Sequence, residues 1–463
     1  MRLLLPRGGG GRGLRGLTRR DDLRLKPVLG ALAAALVAAL AIVALAGDER
    51  ERPDAPPSTA ETPTPTPSPA PSATATPTPT PRPLWASLET RGTRIAVGIT
   101  EPNPNFVAAS PDIPPPFARW RDALARIKPA LYRLILYWPA LQPRAGAPAD
   151  LGAINGGCMR DKLPCAPYRG VRDQLRALAA RQRQGGWEGF VVVTGTPEWA
   201  ARPPSGCERR SIGPANRMPR SDALDAYRRL VADVLRVARE EGATLRYWAP
   251  WNEPNHPYSS SPQRASCSGD APNVSVGPYV EVAEALRAAL AKAPGDQRYV
   301  LGELAVMVRR LPVTTSVHEF LEALPAKLVC GARAWTQHTY IGGEDVVDDV
   351  TGLLAAKGCR RKHAIWMTET GAGAPRTATA RTGGRAAELR GCRAVHRILE
   401  DWYRDRRITA AVQYTLREDD VFRTGLVTTD LARPYPALRE WQQWGLRARP
   451  RPEDRPPAKA ACR

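Results

Sequence analysis

The sequence predicts an α/β protein, a (β/α)8 TIM barrel over residues 84–447, preceded by a single transmembrane helix and a Pro/Thr-rich stalk. Three observations carry the barrel. Eight short apolar runs follow one another between Leu84 and Trp444. Amphipathic stretches with apolar residues at three- and four-residue spacing separate them, among them "ALDAYRRLVADVLRVAREEG" and "YVEVAEALRAALAKA". Several of the runs end on polar residues, as barrel strands do where they open onto the carboxyl face.

The runs are, in order, "RIAVGIT" (94–100), "LYRLILYW" (131–138), "GFVVVTG" (189–195), "LRYWAPW" (245–251), "YVLGELA" (299–305), "ARAWTQHTY" (332–340), "HAIWMTET" (363–370) and "AAVQYTL" (410–416). A doubly wound sheet is the rival arrangement. It requires a glycine-rich phosphate turn after an early strand, and the one comparable cluster, "GGGGRG", follows no strand.

The flanks differ in kind. Residues 1–26 carry seven Arg and one Lys against two Asp, and an uncharged run from Pro27 to Gly47 follows. About 20 apolar residues span a bilayer as a helix, and a basic flank stays inside. Residues 27–47 are therefore expected to form a transmembrane anchor behind a basic cytoplasmic segment; a cleaved signal at Ala44-Leu45-Ala46 is the alternative, and would make the protein secreted. Residues 48–83 read as a disordered linker, with twelve prolines between Pro53 and Pro83 favouring extended conformations. Residues 448–463 read as a short disordered tail. The expected location is the cell membrane, single-pass, with the barrel outside the cytoplasm.

Lys+Arg 67 against Asp+Glu 46 gives a formal charge of +21. The Arg residues are spread along the chain with no basic, aromatic-interleaved stripe, so no nucleic-acid partner is expected. Eight Cys in an exported chain point to disulfides. Cys158/Cys165 and Cys207/Cys267 are the preferred pairs, Cys330 and Cys359 are candidates for a bridge between strand starts, and Cys392 and Cys462 stay unassigned. None has zinc-site spacing and only five His are present, so neither metal nor cofactor is expected.

The chemistry lies in the polar strand ends. The fourth run ends in Asn252-Glu253-Pro254, the sixth in His338-Thr339-Tyr340 and the seventh in Thr368-Glu369-Thr370. Two Glu facing one cleft are the equipment of glycoside hydrolysis, one protonated to give a proton to the leaving oxygen and one ionised to attack the anomeric carbon. Arg133, in the second run, has a place inside the barrel only with carboxylate partners, and the two strand-end glutamates are the expected ones. Arg133 and Tyr340 are expected to keep Glu369 ionised, while a less polar site raises the pKa of Glu253. Asn252 is placed to bind a sugar 2-hydroxyl.

"WNEPN" (251–255) and "WMTETG" (366–371) resemble the signatures of clan A of the glycoside hydrolases, the (β/α)8-barrel retaining glycosidases, which end strand four on Asn-Glu and strand seven on Glu. "RLILYWPALQP" (133–143), "GTPEWAA" (195–201) and "FRTGLVTTDLARPYPAL" (422–438) extend the resemblance over residues 84–444, with the cellulase-like and xylosidase-like families nearest. The resemblance implies a carbohydrate substrate, Glu253 as acid/base and Glu369 as nucleophile, with Asn252, Arg133, His338 and Tyr340 supporting them. Many clan members close strand eight on a Trp; here the stretch is "VQYTLREDD", so Tyr414 or a Trp from another loop has to serve. Trp199 and Trp251, beside strand-end turns, are the stacking candidates, and His256 borders the acid. Glu303, at the end of the fifth run, belongs to neither signature and is set outside the catalytic pair. A transglycosidase using the same covalent intermediate and an inactive carbohydrate-binding barrel are the alternatives, the latter with no need for two facing carboxylates.

Overall fold

The computed structural model describes residues 84–92, 95–155, 167–268, 270–307, 313–340, 344–371, 384–418, 423–447 and 461–462. Among the described residues nine strands form one all-parallel sheet: β1 (Ala96–Thr100), β2 (Leu131–Tyr137), β3 (Glu188–Thr194), β4 (Leu245–Ala249), β5 (Arg298–Tyr299), β6 (Leu301–Leu304), β7 (Ala334–His338), β8 (Ala364–Thr370) and β9 (Ile408–Tyr414). Their order is β5-β4-β3-β2-β1-β9-β8-β7-β6. Only Val300 separates β5 from β6, and its N–H donates to the Trp248 carbonyl at 2.9 Å. The two pieces are therefore one stave, and the sheet closes on itself with eight staves, as the eight apolar runs predict.

Alternation along the strands sets the two sides of the wall. Phe190 and Val192 point into the barrel with Leu131, Tyr247, Val300, Trp366 and Val412. Val191 and Val193 point out, into the layer packed against the helices. Trp366 fills the lower bore, with Tyr247 edge-on at 4.8 Å and Phe190 at 6.0 Å. The short helix Leu84–Leu88 closes the floor beneath it. Its Leu88 carbonyl accepts from Trp366 Nε1 at 2.9 Å and from the Thr409 hydroxyl, and Trp85 lies under the guanidinium of Arg298, 4.0 Å from the ring centre.

The outer helices also reach the upper rim. In Leu224–Glu240 the buried residues Leu224, Tyr227, Leu230, Val231, Val234, Leu235 and Ala238 make one stripe. Tyr227 from that stripe donates to the Pro250 carbonyl at 2.8 Å, just past β4, and Tyr279 of Val276–Lys292 accepts from Gly302 N at 3.2 Å. At the opposite seam, buried Glu101 accepts the N–H groups of Asn103 and Leu416 at 3.0 and 3.1 Å and ties the end of β1 to the turn after β9.

Among the described residues there are three disulfides. Cys207–Cys267 and Cys330–Cys359 form as expected, and the two unassigned cysteines pair as Cys392–Cys462. Ala461 and Cys462, at the end of the segment read as a disordered tail, are thereby held to the helix Gly384–Arg404; Ala461 N also donates to Glu440 at 2.6 Å. Cys158 and Cys165 lie outside the described residues, as do residues 1–83 with the expected anchor and linker. Among the described residues no helix is long and apolar enough to cross a membrane.

Candidate active site

The regular pleat breaks where the upper rim begins. Register slips between Gly302 and Leu304, between Gln337 and His338, and between Met367 and Thr370. Each slip re-aims an ionisable side chain, the usual effect of a bulge beside a site. Counted by alternation from Val300, Glu303 would face outward. Left-handed backbone at Gly302 (φ 121°) and Glu303 (φ 53°) turns it in. Only glycine fits at 302, since a Cβ there would lie 2.1 Å from the Thr336 carbonyl oxygen. Glu253 also has positive φ, 46°, and its N–H donates to the Glu303 carbonyl at 2.8 Å. Strain at non-glycine residues persists only where the surroundings hold it, and such positions gather at functional sites. Asn255 supplies part of that hold: its amide bridges Ala305 O, Thr315 O and Ala305 N at 2.8, 3.1 and 2.9 Å.

Six charged or ionisable side chains then meet at the carboxyl end of the barrel. Arg133 enters from β2, on the inward side shared with Leu131. Its Nε and Nη2 donate to Glu303 Oε2 at 3.0 and 2.6 Å, Nη1 to Glu369 Oε2 at 3.1 Å, and Nη2 to Asn252 Oδ1 at 2.6 Å. His338 lies between all three carboxylates. Its Nδ1 is 2.9 Å from Glu253 Oε1 and 3.6 Å from Glu369 Oε2, and its Nε2 is 3.2 Å from Glu303 Oε2. The Tyr340 hydroxyl donates to Glu369 Oε1. One oxygen each of Glu253 and Glu369 lies within 4.8 Å of the other. Of the three carboxylates Glu253 is the most open, at 22 % exposure, with Glu369 at 7 % and Glu303 buried, as are Arg133 and His338 at 1 % or less.

The structure brings Arg133, Asn252, Glu253, His338, Tyr340 and Glu369 together around one point. Two sequence expectations about them need correction. Arg133 pairs with Glu303 and Glu369 rather than with Glu253 and Glu369, because the turned-in Glu303 occupies the space nearest the guanidinium. The Glu253 carboxyl is not raised. Burial pushes it up, but the hydrogen bond and charge of His338, with His256 and Arg133 behind them, outweigh burial and leave it below the usual value. Glu303 is the residue that sequence reasoning passed over. Burial opposes its charge, yet Arg133 and His338 hold it down to about 2. Burial likewise opposes charge on His338, and the carboxylates of Glu369 and Glu303, with the bond to Glu253, raise it to about 10.

The aromatic candidates separate. Trp251 is fully buried with its indole N–H on the Ser259 carbonyl at 2.7 Å, so it presents no face to a sugar; the turn 252–261 folds over it. Trp199 is half-buried, with its N–H on Gln142 O at 3.0 Å and its ring edge-on to Trp138. His256, 9 % exposed, sits beside Tyr258 at 5.5 Å on the Glu253 side. Tyr414 stands at the end of β9, 8 % exposed.

Glu253, His338 and Glu369 each offer an atom that a metal ion takes. Both imidazole nitrogens, however, face carboxylate oxygens, and an imidazolium has no lone pair for a metal. The cluster fits a proton better than a cation.

The electrostatics carry a stability prediction. Glu303, depressed, contributes stability that is full above the ordinary carboxyl pKa of ~4.3 and is lost as pH falls toward about 2. His338, raised, contributes stability that is full below ~6.5 and is lost as pH rises through about 10. The part of stability due to the cluster is expected to peak between ~4.3 and ~6.5. Thermal midpoints that stay level from pH 5 to 10 would contradict this.

No family model matches the sequence, and no curated protein matches it. Solved structures do. SrfJ from Salmonella typhimurium aligns with a TM-score of 0.50 at 10% identity, covering 77% of this chain and 75% of that one. A GH5_18 protein from Bifidobacterium longum subsp. infantis aligns at 0.45 and 14% identity, covering 78% and 80%. Xyn30A from Clostridium acetobutylicum, a glycoside hydrolase family 30 subfamily 8 xylanase, aligns at 0.42 and 13% identity, covering 77% and 72%. The alignment with SrfJ shows a shared fold.

Proposed function

We propose that this protein is a glycoside hydrolase that cleaves O-glycosidic bonds of a poly- or oligosaccharide by retaining double displacement, with Glu369 as nucleophile and Glu253 as acid/base. The observation that carries the reading is the approach of the two carboxylates, with one oxygen of each within 4.8 Å. Retaining enzymes hold their carboxyls about 5–5.5 Å apart and inverting ones about 6.5–9.5 Å, to make room for a water. The two are also the cluster carboxylates that a substrate can touch.

The roles divide by surroundings. Arg133 and Tyr340 fix both oxygens of Glu369, which leaves the carboxylate oriented for attack. With Asn252 Oδ1 held by Arg133, the donor half of its amide is what a sugar hydroxyl meets. Trp199 and Tyr414 are the aromatic surfaces proposed to line the sugar path.

The test is covalent trapping. Incubation with a panel of 2-deoxy-2-fluoro glycosyl fluorides is expected to add one glycosyl mass to a peptide containing Glu369. The sugar that labels identifies the specificity. Labelling elsewhere, with Glu369 unmodified, would assign the nucleophile wrongly.

The barrel is further proposed to stand outside the cell on residues 48–83, anchored through residues 27–47. Three disulfides fit an oxidising compartment. Protease added to intact cells is expected to release the barrel by cutting in the linker; recovery only after lysis would reject that orientation.

A further inference from the structure

We propose that Glu303 is a positioning residue for the acid/base step: by accepting the Nε2–H of His338 it turns the Nδ1–H onto Glu253, so that His338 and Glu253 share one proton and deliver it to the leaving group. This rests on the glycosidase reading above.

Glu303 itself is out of reach of a substrate. Its side chain is fully buried, its N–H is held by the Thr336 hydroxyl at 2.7 Å, and its carbonyl accepts from Glu253 N at 2.8 Å. One oxygen, Oε2, takes all three donors: Arg133 Nε, Arg133 Nη2 and His338 Nε2. The groups facing His338 are Glu303 from β6, Glu253 from the turn after β4, Glu369 from β8 and Arg133 from β2, whose Nη2 is 3.4 Å from Nε2. Carboxylate oxygens only accept, so an imidazole bonded through both nitrogens to Glu253 and Glu303 carries a proton on each. Glu303 fixes which nitrogen faces the reacting carboxyl, as the second partner of a working histidine does.

The resting cluster therefore holds its mobile proton on His338 and a carboxylate at Glu253. In glycosylation the Nδ1–H bond breaks and leaves its pair on nitrogen, and the proton passes to the Glu253 carboxyl and on to the glycosidic oxygen. That oxygen departs as an alcohol with the electrons of the C1–O bond, while a Glu369 oxygen bonds to C1. His338 ends neutral and Glu253 ends as carboxylate. In deglycosylation water bonds to C1, its proton passes to Glu253 and back to Nδ1, and Glu369 leaves. The net charge of the cluster is the same before and after each step, so no charge is created in a buried site.

A Glu303 that only neutralised Arg133 would affect stability and leave the pH profile in place. The experiment compares kcat/KM against pH for the native enzyme and Glu303→Gln, using dinitrophenyl and methyl glycosides of the sugar that labels Glu369. Glu303→Gln is expected to move the basic limb down by ~1–2 pH units, because a carboxylate partner beside an imidazolium favours its charged form by that order. The loss at neutral pH should fall on the methyl glycosides and spare formation of the glycosyl-enzyme from dinitrophenyl ones, which need little protonation. A basic limb unmoved in a folded variant overturns the proposal. Should the variant not fold, the native protein decides the matter by nitrogen NMR of its five histidines. His338 is expected to show two protonated nitrogens at pH 8, and a neutral ring there overturns the proposal. Labelling of Glu369 in Glu303→Gln separates the two readings: its persistence keeps the glycosidase reading whatever the pH profile shows, and its absence in the native protein rejects that reading while the NMR result still stands.

Discussion

Glu369→Gln is expected to lower turnover by several orders of magnitude on every substrate, whatever its leaving group. Of the other carboxylates in the cluster, Glu303 is fully buried, and Glu253 is assigned to proton transfer in the proposed mechanism. Losses of that size follow removal of a covalent nucleophile. Glu253→Gln is expected to differ in kind. Dinitrophenyl glycosides leave with little protonation, so the glycosyl-enzyme still forms and accumulates, and hydrolysis slows for want of a base. Added azide needs no base, and the product should be a glycosyl azide with the anomeric configuration of the substrate. An azide product of opposite configuration would show that Glu253 is the nucleophile or that the mechanism is inverting.

The second large effect is on folding. Arg133→Met is expected to destabilise the barrel by about 3–5 kcal/mol, the range for breaking a buried ion pair by removing one member. Arg133 has no exposed side-chain surface, and its loss strands the carboxylates of Glu303 and Glu369 and the amide oxygen of Asn252. Arg133→Lys is not a remedy, since one ammonium cannot span the partners that the planar fork reaches. Denaturant midpoints measure the effect. Arg172, 41 % exposed and paired with Glu240 and Glu241, serves as the control: solvent screens that pair, and its loss should change the midpoint far less.

Much of this is legible in the chain because strand and helix periods are local. The eight apolar runs give the staves, and a Glu at the polar end of a run marks both Glu253 and Glu369. What alternation cannot supply is the set of places where it breaks. Glu303 sits at an outward position by count, and only the paired left-handed residues Gly302 and Glu303 bring it inward. A signal was present: Arg133, inward and on an apolar strand, requires acceptors, and "LGEL" holds a carboxylate within an apolar run. Trp251 misleads for a related reason. Whether a strand-end indole is a sugar platform or a core residue depends on the path of residues 252–261, which close over it. The rise expected for Glu253 failed because burial alone was weighed, and the imidazolium beside it outweighs burial. Cys392 and Cys462 stand 70 residues apart, and no local pattern marks them as partners.

The plug at residues 84–88 gives the domain a mechanical polarity. The chain enters through the floor, beneath Trp366, while Glu253 and Glu369 open at the far end of the bore. Any pull on Leu84 is borne by the buried Leu88 carbonyl and by the partly buried Arg298–Trp85 stack. It bypasses the strained turns at Glu253 and Glu303. Glu253 and Glu369 thus open at the end of the bore opposite Leu84, which is the arrangement that the proposed anchoring through residues 27–47 calls for.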